Sequence, residues 1–351
     1  PFMQPYMGLG NSLQTAQGGA AGGIGGWVEV GRTTLGSAGD DITVSSLADK
    51  RYYMFLTSAL NSGDNSLFLQ MGNGSVDTGS NYAQRFSNDG AADGSGVNQT
   101  KIFCGDNNTS PKFNVGYIAN LSSKEKLYQG WEVMQNTAGA GTAPHRMEST
   151  GKWANTSNPL DTINFNNTMG GSYDTGSEMV VLGWDPADTH TTNFWEELAN
   201  TNAAGSTENM NTGTFTAKKY LWVQVYLDPD AAYTSEVIFN SDSGSNYAYR
   251  YSDNGAADAS GANQAQLSVL GETSTPFFTN LFIINNSANE KLVHWNTVGQ
   301  STAGAGTAPI RQEGVGKWAN TSSQITRIDV NDVTGTDTLS TSSQIVVWGS
   351  D

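Results

Sequence analysis

The chain has a single cysteine, Cys104, in 351 residues. No disulfide can form within it and no zinc site can be assembled from thiolates. The surrounding KIFCGD reads as a strand, so a buried, unreactive thiol is expected. Basic residues are scarce too: 17 Lys and Arg stand against 33 Asp and Glu, a formal net charge of -16. Such a chain repels phosphate backbones and anionic lipid, which argues against nucleic acid and membrane as partners. The acidity in itself is what solubility asks for. No apolar run is long enough to span a bilayer. The opening PFMQPYMGLGNSLQ lacks a basic n-region and an unbroken apolar h-region, so it does not read as a signal peptide. A proline at position 1 is what removal of an initiator methionine leaves, and cytoplasmic synthesis without secretion is the expectation.

Catalytic signatures are also missing. The three histidines, His145, His190 and His294, lie far apart in the chain. There is no HExxH, GxSxG, Walker loop or strand-borne GxGxxG. GGAAGGIGG follows no strand and opens no helix, so it does not read as a phosphate loop. Asp40 with Asp41, and Glu196 with Glu197, are adjacent pairs; neighbours on a strand point to opposite faces, which does not make a glycosidase dyad. The expectation is a protein that is not an enzyme and needs no cofactor.

What the sequence does have is a repeat. TAGAGTAPHRMESTGKWANTS (Thr137 to Ser157) returns as TAGAGTAPIRQEGVGKWANTS (Thr302 to Ser322), identical at 17 of 21 positions and 165 residues later. The same offset relates Gly79–Gln99 to Gly244–Gln264, and the EKL that begins at Glu125 to the one at Glu290. His145 aligns with Ile310 and His294 with Gln129, so no histidine is kept in both copies. A period this long exceeds a solenoid repeat, and each copy is read as a whole domain. Segments such as RYYMFLTSAL, KFNVGYIANL and EMVVLGW are short, aromatic or β-branched, and bounded by turn residues. LDTINFN alternates apolar and polar. Gly, Asn, Ser and Thr disfavour helices. The fold class expected is all-β: two tandem homologous antiparallel β-sandwich domains, jelly-roll-like, of eight to ten strands each, at residues 27–184 and 194–351. A linker at 185–193 joins them, and residues 1–26 form an extended Gly-rich N-terminal arm.

Three candidate sites emerge. The first is subunit contact through the repeated loops, Thr137 to Pro144 beside Arg146 and Thr302 to Pro309 beside Arg311, and through Phe2 and Tyr6 of the arm. A run of Gly, Ala, Thr and Pro offers no acid–base or metal chemistry, and its identity exceeds that of the flanking strands. Shared contact use and recent duplication both account for that. In the repeated R-x-E-x-x-GKW, Arg and Glu two apart on a strand share a face, so an ion pair is the simple account. The second candidate is a Ca2+ loop in each copy, with Asp89 and Asp93 in one and Asp253 and Asp258 in the other; a plain polar turn is the simpler reading, since EF-hand ligand density is absent. The third is a glycan platform at Trp131 and Trp295, whereas Trp153 and Trp318, kept in both copies, read as core anchors.

FNSDSGSNYAYRYS (Phe239 to Ser252), GKWANTSSQITRIDV (Gly316 to Val330) and SSQIVVWG (Ser342 to Gly349), with VDTGSNYAQRFS and TGSEMVVLGW in copy one, occur in an order that resembles a jelly-roll-like β-sandwich unit of uncharacterised tailed-bacteriophage structural proteins. The resemblance implies a virion location and a structural role, in capsid, capsid surface or tail. The partners implied are copies of the chain and other virion proteins, with host glycan as partner in the alternative of a tail-fibre or adhesin module.

Overall fold

The computed structural model describes residues 26–351 apart from positions 62, 187, 189, 334 and 336. Phe2, Tyr6 and nearly all of the expected arm lie outside the described residues. Those residues contain strands, turns and bends but no helix.

The first half holds twelve strands: β1 (Val28–Thr34), β2 (Asp41–Val44), β3 (Tyr52–Ala59), β4 (Asn65–Gly72), β5 (Tyr82–Asn88), β6 (Gly94–Gln99), β7 (Ile102–Asn108), β8 (Lys112–Ala119), β9 (Lys126–Met134), β10 (His145–Trp153), β11 (Thr162–Asn166) and β12 (Glu178–Trp184). The second half repeats them as β13 (Glu196–Asn202), β14 (Asn209–Asn211), β15 (Tyr220–Leu227), β16 (Tyr233–Phe239), β17 (Tyr247–Asp253), β18 (Ala259–Gln264), β19 (Leu267–Thr273), β20 (Phe277–Ile284), β21 (Lys291–Gly299), β22 (Ile310–Trp318), β23 (Ile328–Asp332) and β24 (Gln344–Ser350). Twelve per half exceeds the eight to ten expected. The strand not anticipated is β6, GSGVNQ, and β10, HRMESTGKW, enters the sequence reading only through its Arg-x-Glu pair. Both are rich in Gly and polar residues, and both are held by pairing with stronger neighbours.

Each half has an eight-stranded and a four-stranded sheet, ordered β1-β12-β3-β8-β9-β10-β5-β6 and β2-β11-β4-β7 in the first, with the matching order in the second. The ladders between these strands are antiparallel, as in β9 on β10, where His145 pairs with Met134 and Trp153 with Lys126. Setting aside two hairpins, the sheets read β1-β12-β3-β8 and β2-β11-β4-β7, the wiring of an eight-stranded jelly roll. The hairpins β5–β6 and β9–β10 are insertions that both widen the larger sheet. The tandem sandwich expected from the sequence is therefore present, in jelly-roll order.

Alternation along the strands builds three apolar layers. Phe55, Leu69, Phe165 and Val181 fill the first sandwich, and Val223, Leu281, Trp295 and Val347 the second. Trp153 and Trp318 close one end of each core, and each donates its indole N–H to an aspartate, Asp77 or Asp242, at 2.7 Å. The third layer lies between the halves, where the outer faces of the two large sheets meet. Leu56, Phe113, Val133 and Val180 pack there with Tyr220, Phe282, Leu292 and Val315. Burying one such side chain stabilises by roughly 1.5–3 kcal/mol, so these eight give roughly 12–24 kcal/mol as an upper estimate.

Candidate functional site

The repeated loop leaves β9, or β21, through two residues with left-handed backbone. Asn136 and Ser301 both have φ of 64°, and Gly139 and Gly304 have φ of 84° and 88°. Glycine at the second position supplies a conformation that other residues resist. The two loops thus share one shape, but their surroundings differ.

The first loop is built into the second half of the chain. The buried amine of Lys317 donates to the carbonyl of Gln135 at 2.9 Å and also to that of Thr137. The N–H of Gly139 donates to Glu290 Oε1 at 2.5 Å. The carbonyl of Ala140 accepts the N–H of Asn263 at 2.7 Å, and that of Pro144 accepts Arg250 Nε at 3.1 Å. Beyond the loop, Arg146 reaches Asp258 with two nitrogens, at 2.6 and 3.3 Å, and pairs with Glu148 on its own strand and with Glu313 at 3.8 Å. A charge-assisted fork of this kind is both strong and geometrically selective.

Asp89 sits beside it, with Oδ2 2.6 Å from His145 Nδ1 and Oδ1 accepting from the Arg146 N–H at 2.9 Å and facing Arg250 at 3.1 Å. Burial works against its ionised form, but these hydrogen bonds and the Arg250 charge outweigh it and hold the carboxyl below the usual range. The approach is tight: a Cβ on Gly90 would stand 2.3 Å from Asp258 Oδ1, which only glycine avoids at a φ of 71°.

The second loop is open. Residues 302–309 are exposed throughout, and Arg311 pairs with Glu313 of its own strand, at 2.9 Å. The contact residues chosen from the sequence therefore divide. Pro144 and Arg146 are buried against the second half, and Thr137, itself exposed, gives its carbonyl to Lys317 there. Thr302, Pro309 and Arg311 face solvent.

The four aspartates named as candidate Ca2+ ligands each have protein partners. Asp89 and Asp258 spend their oxygens on arginines across the joint, Asp93 pairs with Arg85 at 3.4 Å, and Asp253 accepts from Gln312 at 3.0 Å. Among the described residues no group of three or more His, Cys, Asp and Glu is arranged to hold a metal ion. The two tryptophans do not form a matched pair. Trp295 is buried in the second core and donates to Gln312 Oε1 at 2.9 Å, so it faces no glycan. Trp131 lies on the outer face at the joint, stacked on His294 at 5.2 Å between centroids. His294 is buried with no hydrogen-bond partner on either nitrogen, and burial with the nearby Arg146 charge pushes its pKa down to about 3.

Sequence reasoning missed two features. On the outer face of the first half, Trp27, Tyr52, Tyr117, Leu127 and Trp184 line an open aromatic hollow of about 490 Å³. Inside the same sandwich, Glu132 is buried with neither carboxyl oxygen hydrogen-bonded, near Lys112, whose amine donates to Asn65, Asn108 and Ser110. Burial raises the Glu132 pKa and lowers that of Lys112.

No family model matches this chain, nor does any curated protein. Among solved structures, domains LG4-5 of the mouse laminin alpha1 chain align over 93% of this chain and 90% of that one, at 9% identity and a TM-score of 0.20. A likeness of that size carries no argument about what the chain does.

Proposed function

We propose that the chain is a non-enzymatic structural protein of a virus particle, in capsid, capsid surface or tail, acting through repeated contacts with copies of itself and other virion proteins. The observation that carries this reading is the joint. There the duplicated loop acts as a contact element, engaged through backbone carbonyls, a buried lysine and a forked arginine, and none of these groups is poised for chemistry. Fold supports it only by analogy, since jelly rolls serve capsids and also lectins and cupins. Mass spectrometry of purified particles tests it: tens to hundreds of copies per particle are expected, and absence from particles refutes it.

The aromatic hollow favours a second reading, a fibre or adhesin module that stacks a host sugar on Tyr52 and Trp184, whose rings lie 5.5 Å apart. A glycan array decides it: binding abolished by Trp184→Ala supports this reading, and no binding to any sugar removes it.

A further inference from the structure

The joint between the halves is heterologous. In a two-fold contact both halves would present the same patch and both loops would be buried. Here the first half gives its loop and the second half receives it. One loop, on the second half, and one receiving surface, on the first, are left over.

The two leftovers match. The residues that receive the first loop are Arg250, Asp258, Asn263, Glu290 and Lys317. Each recurs unchanged 165 positions earlier, as Arg85, Asp93, Asn98, Glu125 and Lys152. Even the unusual backbone recurs, with φ of 53° at Asn98 and 51° at Asn263. With no loop to hold, the first-half set pairs within itself, Arg85 with Asp93 at 3.4 Å and Lys152 with Glu125 at 2.9 Å.

Exposure tells the same story. The side chain of Arg146 is 5% exposed and that of Arg311 57%; Asp258 is 2% and Asp93 51%; Lys317 is 0% and Lys152 45%. The apolar surface follows: Leu292 is buried, whereas its counterpart Leu127 is 57% exposed; Val133 is buried, whereas Val298 is 47% exposed. Phe113, which packs near Tyr220, has its counterpart in Phe278, and Tyr220 has its own in Tyr52 of the hollow.

We infer that the second-half loop of one chain, Thr302 to Arg311, docks on the first half of a second copy, repeating between chains the joint that each chain makes within itself. This deepens the structural reading above and rests on it. The occupant of the hollow is then Phe278 of the neighbouring copy. The loop is preformed, so little ordering entropy opposes docking. The contact is weaker than the internal one. Val115 and Leu56 have Asn280 and Gln224 as counterparts, Asp89 has Asn254, and no tether raises the local concentration. Association therefore depends on concentration and weakens with salt, as screening of exposed charges requires. A heterologous contact of this kind closes a ring or runs on as a filament.

Two exposed variants test it. Ala305→Asp spoils the loop and Leu127→Asp spoils the receiving surface; both positions are exposed, so unchanged melting certifies the fold. In sedimentation velocity the unaltered chain gains mass with concentration, each variant alone stays monomeric, and the two mixed one to one give a dimer and nothing larger. A chain that is monomeric at every concentration, variants that associate as the parent does, or a mixture that stays monomeric overturns the inference. Sugar binding in the hollow of a chain that stays monomeric also overturns it. The virion reading fails separately: self-association with absence from particles leaves the inference standing, and particles that take up both variants normally leave the reading standing without it.

Discussion

Arg146 and Arg311 have the same place in the repeat and the same flanking residues, GTAP before and a glutamate two positions after. Sequence alone gives no reason for them to differ in value. The joint does. Arg146→Ala strips Asp258 and Glu148 of their ion pair and leaves Glu313 with the half-exposed Arg311 alone, in a setting largely closed to water. Removing one partner of a buried ion pair costs about 3–5 kcal/mol, mostly the penalty on the charges left behind. Arg311→Ala removes a pair that is open to solvent on the arginine side, which costs roughly 1 kcal/mol or less. At roughly 2–4 °C per kcal/mol for a chain portion of this size, the melting temperature falls by roughly 6–20 °C in the first variant and far less in the second.

Scanning calorimetry at a dilution where the chain is monomeric measures both. The pH adds a second check. Burial already raises the Glu148 carboxyl and the Arg146 charge opposes that rise; without Arg146 the folded chain holds the Glu148 proton more tightly than the unfolded one, so stability is lost as pH rises above the ordinary carboxylate range, and the cost is larger at pH 8 than at pH 5. Equal losses in the two variants, or a cost for Arg146→Ala that shrinks with rising pH, would refute the reasoning.

Further outcomes follow from the buried groups. Glu132 is raised by burial, so the folded chain holds that proton more tightly than the unfolded one and its contribution declines as pH climbs from about 5 to 8; Glu132→Gln raises the melting temperature, more at pH 8 than at pH 5, and a loss greatest at pH 8 would mean an ionised Glu132 paired with Lys112. The Cys104 thiol is buried and pushed up to about 12, so an aromatic disulfide reagent reacts with it only after denaturation, and rapid native labelling contradicts its placement. Trp295→Ala empties a core position and costs about 3–5 kcal/mol in urea unfolding, whereas a near-neutral result would put that ring outside the core.

Much of this architecture was readable before the structure. The repeat at one offset, the run of short aromatic and β-branched segments and the conserved GKW set the tandem sandwich, because burial of alternate side chains leaves a period-2 mark. The tryptophan pair shows where that reading breaks. Trp131 and Trp295 lie 164 positions apart, one short of the repeat, and one residue of register on a strand moves a side chain to the other face. Trp131 therefore stands at the joint and Trp295 in the core. Lys112 and Glu132 were invisible for another reason. Their counterparts are Phe277 and Thr297, so no pattern is shared, and their burial depends on strands that meet only in three dimensions. The receiving surface sat in plain view as identical charged residues at the 165-residue offset, but scattered over Arg85 to Lys152 it had no meaning until Arg250 to Lys317 were found gathered around the first loop.

The central claim is that the second loop seeks, in another copy, the contact the first loop finds within the chain. Disulfide trapping tests it directly. The Ala140 carbonyl accepts the Asn263 N–H at 2.7 Å, so these backbones are in contact, and the Ala140→Cys and Asn263→Cys double variant, expected to oxidise within one chain, serves as the control. A chain carrying Ala305→Cys, mixed with one carrying Asn98→Cys, is expected to give a reducible dimer on a non-reducing gel. Prompt closure of the control with no dimer from the mixture would contradict the account.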